Sequence, residues 1–160
     1  MEKTRNERLA AVARIALRLE AETGCPARLL IAQWALESEW GATPTGKANF
    51  FGIKKAGRHE KCCTVTTREV INGKSVVQKL EFADYDSLEE SCRDYAWLIT
   101  HGAPYRVAWQ RYQKDRNLPA LIAAVAGTYA TDPQYASLAS VIARQTNVAA
   151  AITTARNESD

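Results

Sequence analysis

The chain has 160 residues, of which 46% are hydrophobic and 24% charged, and its formal net charge is +3 with a pI near 8.7. This length and composition predict one globular domain with a sizeable core. The charged N-terminus lacks the apolar core of a signal peptide, and no apolar run approaches a membrane span, so we expect synthesis in the cytoplasm and no stable membrane insertion. The basic residues form no stripe, and no nucleic-acid partner is expected.

Metal and cofactor sites are not indicated by the motifs. The sequence contains no Gly-rich phosphate loop, no Walker-type lysine and no His-x-x-x-His pattern, so we expect no cofactor and no metal. His59 and His101 have no nucleophile partner nearby in sequence, which favours loop or surface roles. The cysteines lack the C-x-x-C spacing of zinc sites and are expected to be free thiols, with a disulfide among them as the alternative: Cys25, Cys62, Cys63 and Cys92.

The predicted elements are mostly helical. Thr4-x-x-Glu7 is a capping box that opens a first helix, Gly24 offers its C-terminal stop, and Pro26 fits the first turn of a second helix. Later apolar periodicity predicts further helices over residues 87–102, 104–112, 119–127 and 134–146.

Between the second and third helices the composition changes to that of a β-hairpin. Two runs rich in Thr and Val flank Asn72-Gly73, a strong two-residue turn signal. This turn pairs Glu69 with Val76, and Glu69 then shares a face with apolar residues. The predicted fold class is therefore α+β, mostly α. We expect one domain over residues 1–150, a small β lobe at about 55–83, and a flexible tail over 151–160.

One acid at the end of the second helix is the leading candidate for chemistry. Residues 27–36 include only two polar side chains, which predicts a helix buried on most sides. At 100° per residue, Glu37 falls on the buried stripe with Gln33, whereas Glu39 falls on the stripe that meets solvent. A carboxyl in apolar surroundings has a raised pKa and stays protonated near neutral pH, as a general acid must. Spacing alone leaves open that Glu37 is exposed or pairs with an arginine.

Five stretches together resemble one known family. They are A-L-E-S-E-W-G at 35–41, N-F-F-G-I-K at 49–54, T-T-R-E at 66–69 with the N-G turn and the strand that follows, S-C-R-D-Y at 91–95, and G-T-Y-A-T-D-P-Q-Y-A at 127–136. In this order they resemble the glucosaminidase-type peptidoglycan hydrolases, glycoside hydrolase family 73, which include the hydrolase domain of flagellar rod-assembly proteins. The resemblance covers about Leu9 to Ile142, and Phe50 replaces the family's usual leucine.

The resemblance implies a lysozyme-like helical lobe, a small β-hairpin lobe and a glycan groove between them. It implies endo-β-N-acetylglucosaminidase activity, with Glu37 as the general acid. Glu69 is the expected second carboxylate, acting as a base on water if the reaction inverts. A substrate-assisted route through the N-acetyl group stays open, in which Tyr129 stabilises the intermediate.

The matching motifs also supply candidates for substrate binding in the groove: Trp40, Asn49, Phe51 and Tyr135. The expected partner is the peptidoglycan glycan strand, bound by a monomer that acts on the cell wall or periplasm. A phage endolysin released by a holin, or a domain of a larger secreted protein, would fit. The alternatives are a muramidase or lytic transglycosylase on the same glycan, and a non-catalytic glycan-binding or assembly module.

Overall fold

The computed structural model describes all 160 residues and contains seven α-helices, one short 3-10 helix and a two-stranded antiparallel sheet. The mostly helical α+β class predicted from the sequence is confirmed. None of the helices combines the length and apolar character needed to span a bilayer. In chain order the elements are α1 (Arg5–Thr23), α2 (Ala27–Ser38), β1 (Cys62–Ile71), β2 (Lys74–Ala83), α3 (Leu88–His101), a 3-10 turn (Ala103–Tyr105), α4 (Arg106–Asp115), α5 (Leu118–Tyr129), α6 (Pro133–Ala143) and α7 (Thr146–Ser159).

The predicted capping signals define the ends of α1. The Thr4 hydroxyl accepts from the Glu7 amide at 3.2 Å, and the Glu7 carboxylate accepts from the Thr4 amide at 3.0 Å. At the other end Gly24 adopts φ 82°, the left-handed conformation that closes many helices. The chain therefore turns directly into α2.

Helix α2 is the centre of the helical lobe. Nine of its twelve residues are buried, and it packs against α1, α3 and α6. Such a helix is stable because its backbone groups form hydrogen bonds within the helix, and its apolar side chains are removed from water on nearly every face. It ends where the Ser38 hydroxyl donates to the Trp34 carbonyl at 2.6 Å and accepts from the Gly41 amide at 3.0 Å. The last turn of the helix, which includes Glu37, therefore lies at the edge of the core.

The hairpin of β1 and β2 has the register predicted from its turn. Glu69 pairs with Val76, and Asn72 and Gly73 have φ of 52° and 77°, the positive values that a two-residue type I′ turn requires. The base of the hairpin is joined to the preceding loop, where the Ala83 amide donates to the Ile53 carbonyl at 3.0 Å. The hairpin therefore extends from the helical lobe as a lobe attached at its base.

The C-terminal region differs from the sequence prediction. The predicted final helix over 134–146 corresponds to α6, which ends at Ala143, but a further helix, α7, follows it. The expected flexible tail over 151–160 is helical through Ser159 as part of α7. Val148, Ile152 and Ala155 recur at helical spacing and are buried, with α7 packed against α1. The flexible-tail prediction is wrong because polar residues around these three positions hid an amphipathic helix that needs a partner to form.

Candidate active site

Glu37 lies in the last turn of α2, half-buried. Its Oε1 accepts a hydrogen bond from the Tyr135 hydroxyl at 2.8 Å, so its polar partner is a tyrosine and not an arginine. Burial raises the pKa of the Glu37 carboxyl, and the Tyr135 hydrogen bond offsets part of that rise. Burial therefore shifts the balance of Glu37 towards its protonated form, as a general acid requires. Glu39 is exposed, but not for the expected reason: α2 ends at Ser38 and Glu39 follows it with φ 50°. The stripe expected to meet solvent is largely buried at Ala32 and Ala35.

The loop before the hairpin passes beside the second oxygen of Glu37. Gly52 has φ +63°, and a Cβ atom placed there would lie 2.8 Å from Glu37 Oε2. Real Cβ atoms do not approach an oxygen so closely, and φ in this range is costly for residues with a side chain. Glycine at this position therefore leaves the space beside Oε2 open.

Two tyrosines, Tyr129 at the end of α5 and Tyr135 in the first turn of α6, complete the surroundings of Glu37. Their rings stack with centroids 6.4 Å apart and planes 8° apart. Tyr135 binds Glu37, whereas the Tyr129 hydroxyl donates to the Phe51 carbonyl. Burial and the nearby Glu37 carboxylate raise the pKa of both phenols, so they stay protonated and act as hydrogen-bond donors. Tyr135, predicted only as a substrate-binding residue, is the tyrosine that contacts the acid; a role for Tyr129 at an intermediate stays a prediction.

Asn49 builds the loop and is not free to bind substrate through its side chain. It is buried, and its Nδ2 donates to the carbonyls of Ile53 at 2.9 Å and Ala83 at 2.8 Å. Its Oδ1 accepts from the amides of Phe51 and Ile53, both at 3.2 Å. A carboxamide has two N–H donors and two lone pairs, and all four are used here. The predicted substrate contact is therefore corrected: Asn49 joins the loop to the hairpin base.

Phe51 is likewise a structural residue. Its side chain is fully buried and stacks on Tyr95 with ring centroids 4.4 Å apart, so the predicted substrate contact of this ring is wrong. Trp40 packs edge-on against Trp34 and lies beneath the Arg5 guanidinium at 3.8 Å. These contacts attach the chain after α2 to α1, and a substrate role for Trp40 stays a prediction.

Glu69 makes no contact with Glu37. Its side chain is exposed and makes no hydrogen bond or ion pair, and it lies in the third residue pair from the hairpin turn. At about 3.3 Å per residue, Glu69 is roughly 23 Å along the strand from Cys62 at the hairpin base. The base lies beside Ile53, next to Gly52. Glu69 is thus carried on the outer half of the β lobe.

The histidines and cysteines lie outside this cluster. His59 accepts from the Ala56 amide and donates to Asp94, each at 2.8 Å, and so attaches the loop before the hairpin to α3. His101 is exposed and stacks on Trp97. All four cysteines are free thiols, as predicted, with Cys25 and Cys92 buried.

Sequence reasoning gave no site role to Gln33, Tyr95 and Gly52. Gln33 is fully buried, yet its Nε2 lies 3.3 Å from the Tyr135 hydroxyl and its Oε1 accepts from the Tyr95 hydroxyl. The available signal was an amide in an otherwise apolar run, one helical turn before Glu37. A buried amide must have partners, and they are 62 and 102 residues away in sequence.

The chain was compared with known proteins. The family model described as glucosaminidase, mannosyl-glycoprotein endo-beta-N-acetylglucosaminidase, matches residues 13–148. Over 122 residues the chain is 34% identical to the peptidoglycan hydrolase FlgJ of Escherichia coli K12, which covers 72% of the chain and 38% of that protein. Over 129 residues it is also 34% identical to a probable N-acetylmuramidase of Lactococcus lactis, covering 75% of the chain and 28% of that protein. The chain therefore spans well under half the length of these relatives.

Solved structures show the same fold. The catalytic domain of the autolysin Auto from Listeria monocytogenes superposes with a TM-score of 0.76 at 28% identity, covering 94% of this chain and 89% of that one. A C-terminally truncated glycoside hydrolase domain of Salmonella typhimurium FlgJ gives a TM-score of 0.71 at 27% identity, covering 89% of this chain and 97% of that one. Together with the match over residues 13–148, these similarities show that the chain belongs to the glucosaminidase family, glycoside hydrolase family 73.

Proposed function

We propose that this chain is a peptidoglycan hydrolase that cleaves the β-1,4 bond after N-acetylglucosamine, with Glu37 as the general acid. The observation that carries the proposal is the environment of Glu37: a carboxyl of raised pKa, with one oxygen bound by Tyr135 and the other against Gly52. The names of the relatives, a peptidoglycan hydrolase and a probable N-acetylmuramidase, support the same glycan as substrate.

In the proposed reaction, Glu37 protonates the glycosidic oxygen as the bond to the anomeric carbon breaks. The proton leaves the carboxyl for the departing sugar, and the carboxylate that remains keeps the hydrogen bond from Tyr135. That bond strengthens as negative charge develops on Glu37, because hydrogen bonds to an ionised acceptor are stronger than neutral ones. Tyr135 therefore stabilises the charge that the acid acquires in the transition state.

Which bond is cut is tested by analysis of the products. Purified peptidoglycan is digested, reduced with borohydride, and separated by mass-detected chromatography. We expect N-acetylglucosaminitol at the new reducing ends. N-acetylmuramitol would instead assign the muramidase activity named for the Lactococcus relative, and anhydro-muramyl products would assign a lytic transglycosylase. Binding without any product would leave only a non-catalytic glycan-binding module.

Two routes remain for the second half of the reaction. An inverting enzyme needs a base across the groove, with carboxyl groups roughly 6.5–9.5 Å apart. Glu69 lies on the outer half of the hairpin and makes no contact with the groups around Glu37. The substrate-assisted route needs no second carboxylate, because the N-acetyl oxygen attacks the anomeric carbon. The position of Glu69 supports this second route.

Glu69→Gln tests the choice between these routes. We expect the variant to keep its rate of peptidoglycan hydrolysis within about threefold of the wild type, because an exposed hairpin side chain without contacts has little to lose. The measurement is dye release from labelled sacculi, with Lys79→Gln, exposed on the paired strand and likewise without an ion pair, as the control. A loss of about 100-fold or more in Glu69→Gln alone would show that the lobe closes and that Glu69 is the base.

We propose the cell wall or periplasm as the place of action, because that is where the substrate lies. A role as a phage endolysin is compatible with the same activity and belongs to this proposal.

A further inference from the structure

The buried amide of Gln33 lies one helical turn before Glu37 and has an unusual pair of partners. The Tyr95 hydroxyl donates to its Oε1, and its Nε2 lies 3.3 Å from the Tyr135 hydroxyl. Tyr135 in turn donates to Glu37 Oε1 at 2.8 Å. A continuous chain of hydrogen bonds therefore runs from α3 through α2 and α6 to the carboxyl.

The direction of every bond in this chain follows from the orientation of the Gln33 amide. Its Nε2 faces the Tyr135 hydroxyl, which therefore accepts from Gln33. A tyrosine hydroxyl has one hydrogen, and Tyr135 gives its hydrogen to Glu37. The Oε1 of Gln33 faces Tyr95, which must donate. With the amide in this orientation, all donors point towards Glu37.

The two oxygens of Glu37 are therefore not equivalent. Oε1 accepts from Tyr135 in both protonation states, whereas Oε2 lies on the side of Gly52. We propose that Gln33, held by Tyr95, is a positioning residue that commits Oε1 to Tyr135 and so leaves the catalytic proton on Oε2. This inference rests on the proposed role of Glu37 as the general acid.

The groups that face Glu37 determine how a change at Gln33 acts. They are Tyr135 from α6 and Tyr129 from the end of α5, and no lysine or arginine forms an ion pair with the carboxyl. The Tyr135 hydrogen bond lowers the pKa of Glu37 against the effect of burial. A Tyr135 hydroxyl that no longer accepts from Gln33 is a weaker and less well directed donor. Losing the amide should therefore raise the pKa of the Glu37 carboxyl, and the carboxyl should also be less well oriented.

Gln33→Met tests the inference, because methionine has a similar shape and cannot donate. We expect kcat to fall about tenfold with KM within twofold, and the alkaline limb of the pH–kcat profile to move to higher pH. Tyr95→Phe keeps the ring on Phe51 and should give a smaller change in the same direction. Ile31→Val, fully buried on the same helix, is the control for destabilisation and should leave the pH profile unchanged.

Gln33→Glu adds a rescue experiment. While protonated, the introduced carboxyl accepts from Tyr95 and donates to Tyr135, so activity at acidic pH should approach the wild type. Once ionised it accepts from both tyrosines, so the Tyr135 hydrogen is taken from Glu37 and activity should fall as pH rises, below that of Gln33→Met. If Gln33→Met and Gln33→Glu lower only the melting temperature and keep the wild-type pH profile, the inference is wrong, even though Glu37→Gln is inactive. If Glu37→Gln itself remains active, the proposed function fails first.

Discussion

Glu37→Gln should lower the rate of peptidoglycan hydrolysis by about 10²- to 10⁴-fold, the range that a general acid supplies. The amide keeps the shape of the side chain and can still accept from Tyr135, but it has no acidic proton to give. The measurement is dye release from labelled sacculi, together with a pull-down that shows retained binding. Glu39→Gln, two residues further on and exposed, is the matched control and should be as active as the wild type.

The same substitution should not reduce stability at neutral pH. Because burial raises the pKa of Glu37 in the folded state, the folded protein holds this proton more tightly than the unfolded chain does. Its contribution is therefore fully present below the unfolded value, about 4.3, and is lost as pH rises through the folded pKa. Above that point the wild type bears the cost of a half-buried carboxylate, which glutamine avoids. We expect an equal or higher Tm for Glu37→Gln at pH 7.5, but not at pH 4.

A fully active Glu37→Gln that still binds and cuts the glycan would exclude the proposed role of this acid. An inactive variant with a Tm several degrees below the wild type would point instead to a structural role, since the carboxyl would then be needed for folding. The proposal requires lost activity with retained stability and retained binding. This combination is characteristic of residues that active sites keep at a cost to stability.

Local rules sufficed to predict the register of the hairpin and the partial burial of Glu37. The exposure of Glu39 has a different cause from the one expected, because α2 ends at Ser38 and Glu39 follows it in the left-handed conformation. The pairing of Glu69 with Val76 needed only the two-residue turn, since the turn fixes the register of both strands. Both features depend on residues that lie close in sequence.

The roles that sequence reasoning assigned incorrectly depend on distant partners. Asn49 and Phe51 lie in a motif that resembles the family's, and both were read as substrate contacts. In the structure Asn49 binds the hairpin base and Phe51 stacks on Tyr95. A sequence motif beside an active site therefore does not distinguish residues that contact the substrate from residues that hold the loop in place. Helix α7 was missed for a related reason, because its apolar face is recognisable only against α1.

Gly52→Ala should reduce activity by about 100-fold, because the Glu37 carboxyl or the loop must then move out of position. The added methyl group would lie 2.8 Å from Glu37 Oε2, and alanine at φ +63° costs a further 1–2 kcal/mol, roughly. Gly73→Ala is a well-matched control. Gly73 has φ +77° but nothing within 4 Å of its added Cβ, so it bears the backbone cost without the collision. The measurements are kcat on labelled sacculi and the free energy of unfolding in urea.

A double-mutant cycle identifies the atom that the alanine meets. In a Glu37→Ala background the carboxyl is absent, so the destabilisation by Gly52→Ala should fall to that of Gly73→Ala. Equal destabilisation in both backgrounds would mean that the methyl group meets something else, and that Gly52 is conformational only. A reduced penalty would show that the backbone of this loop is held against the oxygen that faces it, which explains why a left-handed glycine follows Phe51. The Glu37 carboxyl would then have the Tyr135 hydroxyl on one side and the backbone of Gly52 on the other.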